Sequence, residues 1–249
     1  MILEAYGKSD IGLKRRRNED SFWLDKNIGA AIVSDGMGGH AAGGLASSIT
    51  VECFRRVIGR GLPGAKSLPE VEELLTDSLK AANRELLEAA RKDPQKTGMG
   101  ATAVAACLWR DSFVLINIGD SRAYLVRNGK ISQVTKDHTL MERLVKEGVI
   151  SPEEARVHPQ RNLITRAIGR ENGIKADLFS VGIEPDDLLV LCTDGLSKAI
   201  SNAELLETLR KSASLEKACS GLIDRILAAG APDNVTVVLL QPVFADMPG

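Results

Sequence analysis

Residues 101–134, ATAVAACLWRDSFVLINIGDSRAYLVRNGKISQV, decide the fold class of this chain. They contain three short apolar runs, at 101–108, 113–118 and 123–126. Runs of this length and apolarity predict strands that are buried on at least one face. The dipeptide Asn128-Gly129, which follows the third run, is typical of a two-residue β-hairpin. The stretch therefore predicts an antiparallel meander of consecutive strands.

The sequence on either side of this meander predicts helices and further buried strands. Apolar runs predict strands at 30–33, 188–192 and 235–240. Helices are predicted at 42–58, 69–91 and 215–229. The second helix has one apolar stripe at helical period and begins at a capping box formed by Ser67 and Glu70. Helix pairs beside a meander, without regular strand–helix alternation, favour a layered α+β protein over a doubly wound α/β protein.

Composition indicates one globular domain and excludes several function classes. The chain has 249 residues, of which 44% are apolar and 26% are charged, as in ordinary soluble domains. Its 32 basic and 33 acidic residues give a net charge of −1, which argues against nucleic-acid binding. No apolar run is long enough for a membrane helix, so no membrane association is expected. Four well-separated cysteines without a CxxC pair predict reduced core thiols in a cytoplasmic protein.

Four aspartates lie at the ends of predicted buried strands, each beside glycine or asparagine. They are Asp35, Asp120, Asp194 and Asp233. A single aspartate in such a place is ordinarily a turn residue. If the four strand ends converge, however, like charges crowd together and need protons or cations to neutralise them. Oxygen ligands without cysteine suit hard cations such as Mg²⁺ or Mn²⁺.

A glycine-rich segment after the strand at 30–33 offers a rival interpretation. Gly36-x-Gly38-x-x-Ala41 matches the looser dinucleotide-binding fingerprint, which would make the chain an oxidoreductase. That fingerprint requires a strand–helix–strand unit. Here the helix at 42–58 is followed by another helix, and no acidic residue ends a second strand, so this interpretation is disfavoured.

Eight segments along the chain form an ordered set of motifs: RRRNEDS (15–21), SDGMGGHAAG (34–43), GMGAT (98–102), IGDSRAYL (118–125), KDHTL (136–140), HPQRNLITRAIG (158–169), CTDGL (192–196) and APDNVTVV (231–238). In these segments and in their order the chain resembles the metal-dependent protein phosphatases, the type 2C serine/threonine phosphatases, and in particular their bacterial branch. The resemblance implies a single catalytic domain over 1–249. The implied fold is a four-layer αββα sandwich of two antiparallel sheets flanked by helix pairs, with a small flap subdomain at about 139–180.

The resemblance also implies a centre with two Mn²⁺ or Mg²⁺ ions. Asp35 would bridge both ions, and Asp194 and Asp233 would complete the shell of one ion. The carbonyl of Gly36 would bind the other ion, and Glu19 would act mainly through ordered water. A hydroxide shared by the two ions would then attack phosphorus in line, without a phosphoenzyme.

Further residues take roles by the same resemblance. Asp120, together with Asp194, would form a third and weaker metal site. Arg15 would hold the phosphate, because a guanidinium matches two phosphate oxygens at once. His40, the histidine nearest in sequence to the glycine-rich segment, is our choice for the general acid that protonates the leaving group. Flap residues expected to shape substrate access are Arg161, Asn162, Thr165 and Arg166.

The implied activity is hydrolysis of phosphoserine and phosphothreonine in proteins. A serine/threonine kinase is the expected functional partner, and the chain is expected to be a monomer. Two alternatives remain open: a metal-dependent phosphohydrolase of small phosphoesters, and a non-catalytic relative that binds phosphoproteins. The chain departs from the family pattern at Gly44, where an acidic residue is common, and at Ala101 and Asp186, where threonine and glycine are usual. None of these three is an expected primary ligand.

Overall fold

The secondary structure comes from a computed structural model that describes residues 2–39, 42–171 and 173–244. The strands within these residues are β1 (Ile2–Asp10), β2 (Asp20–Asp25), β3 (Ala30–Met37), β4 (Gly100–Ala101), β5 (Ala103–Trp109), β6 (Ser112–Ile118), β7 (Arg122–Arg127), β8 (Lys130–Gln133), β9 (Asp177–Gly182), β10 (Leu188–Cys192) and β11 (Val235–Val243). The α-helices are α1 (Ala42–Gly61), α2 (Leu68–Lys92), α3 (Leu140–Lys146), α4 (Pro152–Val157), α5 (Asp194–Ser197), α6 (Asn202–Lys211) and α7 (Leu215–Ala228).

The strands form two antiparallel sheets. The first sheet has the order β1-β11-β10-β7-β8, and the second has the order β2-β3-β5-β6-β9, with the short β4 paired to β3. Strand β1 pairs along its whole length with β11, from Ile2 opposite Val243 to Asp10 opposite Val235. The two ends of the described chain therefore lie side by side in one sheet.

Apolar side chains pack in three layers, one between the sheets and one beneath each group of helices. Val33 and Leu191 belong to the layer between the two sheets. Phe54 and Leu79 pack beneath α1 and α2, against the second sheet. Leu222 belongs to the layer beneath α6 and α7, against the first sheet. The expected α+β, four-layer αββα arrangement is confirmed.

The stretch 101–134 folds as two hairpins that belong to different sheets. Strands β5 and β6 pair in the second sheet, and β7 and β8 pair in the first. The turn between β7 and β8 has positive φ at Asn128 (50°) and Gly129 (69°), as the hairpin signal predicts. The prediction of one continuous meander is wrong at Gly119, where a φ of 100° turns the chain from one sheet to the other. A side chain there would collide with that of Thr102.

Helix positions agree closely with the sequence prediction. The helices predicted at 42–58, 69–91 and 215–229 are α1, α2 and α7, with bounds that differ by at most three residues. Ser67 caps α2 by accepting a hydrogen bond from the Glu70 amide. None of the helices in the described ranges is both long and apolar enough to cross a membrane.

The described residues of 139–176 lie outside the two sheets, whereas residues 177–180 belong to β9, the edge strand of the second sheet. The part outside the sheets contains α3 and α4, and an isolated bridge joins Thr139 to Ile164. A second bridge joins Ala101 to Ile168 and ties this segment to the end of the second sheet. The segment thus lies next to the strand ends that carry the aspartates.

Candidate functional site

The two sheets bring the four strand-end aspartates to one pocket of about 620 Å³. Asp35 lies on β3, Asp120 follows β6, Asp194 begins α5 after β10, and Asp233 precedes β11. Other residues that line the pocket include Arg15, Glu19, Gly36 and Lys198. The convergence on which the metal hypothesis depends is therefore present in the structure.

The backbone around Asp35 is held from both sides. The Asp35 amide donates to Oγ1 of Thr102 at 2.9 Å, and the Thr102 amide donates to the Asp35 carbonyl at 2.9 Å. On the other side the Gly36 amide donates to the Glu19 carbonyl at 3.1 Å. These bonds set the direction of the Asp35 carboxylate and of the Gly36 carbonyl.

A small cradle beside α1 contains two oxygen donors. Oε1 of Glu19 and the carbonyl oxygen of Gly36 both lie 2.6 Å from the position that a Cβ at Gly43 would occupy. A side chain at Gly43 would fill this space, and one at Gly36 would collide with the Gly43 carbonyl. Glycine at both positions keeps these two oxygen atoms close together and accessible.

Asp194 and Asp233 are brought together by close packing of their backbones. A Cβ at Gly195, the residue after Asp194, would collide with the carbonyl of Asn234. The Asp233 carboxylate accepts a hydrogen bond from the Asn234 amide at 2.8 Å through Oδ1. Its Oδ2 pairs with Nη2 of Arg15 at 2.7 Å. Arg15, the expected phosphate ligand, therefore lies at the pocket with a half-exposed side chain.

Asn234 ties the loop between β1 and β2 to the start of β11. Its Oδ1 accepts from the Glu19 amide at 2.9 Å, and its Nδ2 donates to the carbonyls of Ile11 at 2.8 Å and Arg17 at 3.0 Å. The buried side chain of Asn234 thus contacts the loop that carries Arg15 and Glu19 at three points. Sequence reasoning noted Asn234 within a motif and gave it no role.

Asp20 is a second residue whose importance the sequence did not reveal. It lies opposite Asp35 in the β2–β3 pairing and is buried. Its Oδ2 accepts from the hydroxyls of Thr193 at 2.8 Å and Thr236 at 2.7 Å. Burial raises the pKa of Asp20 to about 7, although the two threonine hydrogen bonds act in the opposite direction. Asp20 therefore links Thr193, which directly precedes Asp194, to Thr236, which lies three residues after Asp233.

The electrostatics of the pocket favour bound cations. Burial, followed by the charges of Asp194, Asp20 and Asp120, raises the pKa of Asp35 well above its usual range. Burial and the charge of Asp194 raise the pKa of Asp120 to about 6, although Lys198 lowers it. Crowded carboxylates of this kind are relieved by cations that they share.

The donor set fits hard divalent cations such as Mn²⁺ or Mg²⁺. It consists of carboxylates and one backbone carbonyl, which are the ligand types that these ions prefer. The buried Oδ1 of Asp120 has no hydrogen-bond partner among the described residues. As the side chains lie, the described ranges contain no ready-made group of three acidic, histidine or cysteine ligands. Three carboxylates are instead paired with basic side chains: Asp233 with Arg15, and both Asp120 and Asp194 with Lys198.

The histidines do not supply an acid at the described part of the pocket. His40, our choice for the general acid, lies outside the described residues. His138 is buried, and its Nδ1 accepts a hydrogen bond from the Gly119 amide at 3.2 Å. His158 directly follows α4, and its Nδ1 accepts from the Gln160 amide at 3.1 Å. Neither His138 nor His158 lines the pocket.

The four predicted flap residues lie around the acidic pocket and the cavity beside it. Asn162, Thr165 and Arg166 line the acidic pocket. Arg161 and Asn162 line the neighbouring cavity of about 790 Å³, which shares Asp120, Asp194 and Asp233. Arg166 also pairs with Asp177 at 3.2 Å, so its guanidinium has a structural partner within the segment.

Known proteins of one family match this chain along most of its length. The family model described as protein phosphatase 2C matches residues 17–235. A serine/threonine phosphatase, stp, of Listeria innocua is 34% identical over 242 residues, which cover 96% of each protein. The serine/threonine phosphatase structure of S. agalactiae aligns with a TM-score of 0.90 and 34% identity, over 97% of this chain and 100% of that one.

A further solved structure bears on the metal ions. The catalytic domain of the serine/threonine protein phosphatase PstP, in complex with two manganese ions, aligns with a TM-score of 0.85 and 34% identity. The alignment covers 96% of this chain and 98% of that one.

Proposed function

Because this chain belongs to the protein phosphatase 2C family and is a metal-dependent serine/threonine phosphatase, we propose that its acidic pocket is the catalytic centre. The observation that supports this most strongly is the convergence of Asp35, Asp194 and Asp233 from strand ends of both sheets on one pocket. No other cavity found in the described ranges combines these carboxylates with the Gly36 carbonyl.

We assign the two metal ions of the enzyme to specific oxygens. Asp35 would contact both ions, and Asp194 and Asp233 would complete the shell of one. The Gly36 carbonyl would bind the other ion, with Glu19 acting through water, and the cradle beside Gly43 supports this pairing. When bound, the ions lower the pKa of a shared water and offset the charge of the phosphoryl oxygens.

Arg15 is proposed to orient the phosphate. Its guanidinium lies at the pocket on an exposed loop and already contacts one carboxylate, Asp233. A phosphate dianion offers the same guanidinium two oxygens, so Arg15 would exchange Asp233 for substrate. The Asn234 hydrogen bonds described above hold the backbone of this loop, which limits the freedom that Arg15 loses on binding. His40 remains our proposal for the residue that protonates the leaving serine or threonine oxygen.

The segment 139–180 is proposed as the flap of a single catalytic domain that spans 1–249. Its support is positional, since Arg161, Asn162, Thr165 and Arg166 line the acidic pocket or its neighbouring cavity. We propose that the neighbouring cavity accepts the peptide on either side of the phosphorylated residue.

The cellular context follows from the activity and from the cysteines. Phosphoproteins are the substrates of this enzyme class, and serine/threonine kinases make them, so we propose a cognate kinase as functional partner. All four cysteines are buried free thiols, which supports a cytoplasmic location. We further propose a monomer, because most of the large exposed apolar side chains, such as Leu45, Val157 and Leu178, lie on different elements, although Ile2 and Val243 lie opposite each other.

Hydrolysis of a phosphothreonine peptide tests the assignment. We expect Mn²⁺-dependent turnover that EDTA abolishes, and a loss of at least about 100-fold for Asp35→Asn, because changing a partner behind a metal ligand already costs about 10- to 100-fold. Asp77→Asn is the matched control, since Asp77 is exposed on α2. Full activity of Asp35→Asn, or turnover that survives EDTA, would refute the proposal. Faster turnover of nucleotides than of phosphopeptides would instead favour a small-phosphoester hydrolase.

A further inference from the structure

Lys198 joins the two carboxylates to which the family resemblance assigns a third metal ion. Its Nζ lies 3.1 Å from Oδ2 of Asp120 and 2.5 Å from Oδ2 of Asp194. Lys198 follows α5 directly, and its amide donates to the Asp194 carbonyl at 2.8 Å. This single helical turn places the side chains of Asp194 and Lys198, which are four residues apart, on one face.

The ammonium group is the counter-charge of a buried carboxylate. The side chain of Asp120 is 2% exposed, whereas that of Lys198 is 41% exposed. Lys198 therefore reaches in from the surface and covers Asp120. Among the described residues, Lys198 is the only cationic side chain paired with Asp120. A carboxylate this deeply buried is costly without such a partner.

A third divalent ion would compete with Lys198 for the same two oxygens. Such an ion binds carboxylate oxygens at about 2.0–2.1 Å. The Oδ2 atoms of Asp120 and Asp194 already contact Nζ, and a dication and an ammonium cannot occupy adjoining positions without strong repulsion. An ion could bind there only after the lysine side chain had left.

We propose that Lys198 is a covalently attached cation that takes the place of the third metal ion, so that this phosphatase binds two divalent ions. The proposal rests on the proposed function, because it concerns the same acidic pocket. It also explains how the charge of Asp120 is neutralised. Lys198 balances this charge, so neither ion of the two-ion centre is needed for it. The weaker third site implied by the resemblance would then be absent from this chain.

Counting bound Mn²⁺ by equilibrium dialysis, with calorimetric titration alongside, tests the proposal. We expect two ions per chain for the wild type and for Lys211→Met, the control, which removes another lysine paired four residues away, with Glu207. Lys198→Met frees both carboxylates and should reveal a third event at millimolar Mn²⁺. Lys198→Asp adds a third carboxylate, and we expect its third ion to bind at least about tenfold more tightly than that of Lys198→Met.

The outcomes separate this inference from the function on which it rests. Three ions on the wild type, with no change in Lys198→Met, would overturn the role of Lys198 and leave the two-ion centre intact. Two ions on both Lys198 variants would overturn it as well. A wild type that binds no Mn²⁺ would refute the proposed function together with this inference. If Lys198→Asp does not fold, as judged by circular dichroism, the comparison of wild type with Lys198→Met decides.

Discussion

His138 lies where the 139–180 segment meets the strand ends, and its protonation state matters for the fold. Its Nδ1 accepts a hydrogen bond from the Gly119 amide, and Nε2 lies near Asp177 and Arg166. Burial lowers the pKa of His138, and Arg166 lowers it further, while Asp177 and the nearby Asp137 raise it. The folded state therefore holds the ring neutral where the unfolded chain would bind a proton.

Acid should weaken the fold through this histidine. Because the pKa in the folded state lies below the unfolded value of 6.5, the contribution of His138 is complete above pH 6.5 and is lost as the pH falls below it. In His138→Gln the free energy of unfolding should fall less between pH 7.5 and 5.5. The difference is at most about 1.4 kcal/mol, the limit for one proton over one pH unit. Urea denaturation of the wild type and of His138→Gln at both pH values measures this difference. The same pH dependence in both proteins would contradict a lowered pKa of His138.

At the level of single residues, the sequence predicted side chains that have a recognisable position, and failed for those defined by distant partners. Asp35 and Asp194 could be selected because they belong to a set of four aspartates at the ends of predicted buried strands, whereas a single one would be an ordinary turn residue. Asn234 and Asp20 act through hydrogen bonds that span 215 and 173 residues. Lys198 was not singled out, because a lone lysine carries no sequence signal of the carboxylates that it contacts. Only the folded chain shows what these three contact.

At the level of elements, two glycines illustrate opposite uses of the residue. Gly59 lies in α1, is exposed, and has no neighbouring atom within 4 Å of the position a Cβ would take. Gly129 has a φ of 69° in the turn between β7 and β8, and a Cβ there would meet the side chain of Arg210. Gly59 only adds conformational freedom to the unfolded chain, whereas Gly129 is required by the turn between β7 and β8.

Alanine at these two positions should change stability in opposite directions. Gly59→Ala should raise the free energy of unfolding by about 0.5–1 kcal/mol, since alanine is the better helix former. Gly129→Ala should lower it by about 1–2 kcal/mol, because a left-handed residue with a Cβ is strained. Urea denaturation of the two variants and the wild type provides the measurement. Equal effects at both sites would mean that the turn does not need its glycine.

Helices were easier to predict than strands, for a physical reason. α2 has an apolar stripe and a capping serine, both of which are local signals. β1 and β9 were not predicted, because both lie at sheet edges and neither is an apolar run. The transfer of the chain between sheets at Gly119 depends on packing against Thr102, which lies 17 positions earlier. Long-range packing of this kind leaves no local pattern.

At the level of the whole molecule, near-neutral net charge conceals an uneven distribution. The acidic pocket concentrates carboxylates that repel one another across the boundary between the two sheets. The metal-free protein bears this repulsion, and cations bound in the pocket would relieve it. Metal binding should therefore contribute to the stability of the domain as well as to its activity.

Asp35→Asn should stabilise the metal-free protein although it removes activity. In EDTA it should melt about 2–4 °C above the wild type, the shift expected for about 1 kcal/mol of relieved repulsion in a domain of this size. Mn²⁺ at about 100 times its Kd should stabilise the wild type by about 2.7 kcal/mol and the variant much less. Thermal melts in EDTA and in Mn²⁺, with Asp77→Asn as control, give both values. A variant that melts below the wild type in EDTA would show that repulsion at Asp35 is not the dominant effect.

Because its cysteines are buried, this enzyme should resist oxidants that react with thiols. Burial raises the pKa of Cys107, Cys192 and Cys219 to about 12 and that of Cys53 to about 11, so almost no thiolate exists at neutral pH. Peroxide and alkylating reagents attack thiolates that they can reach, and these thiols are neither ionised nor exposed. Oxidants that inactivate thiol-dependent phosphatases should therefore leave the activity of this enzyme unchanged. Dephosphorylation by this enzyme would then continue under conditions in which thiol-dependent phosphatases are inactive.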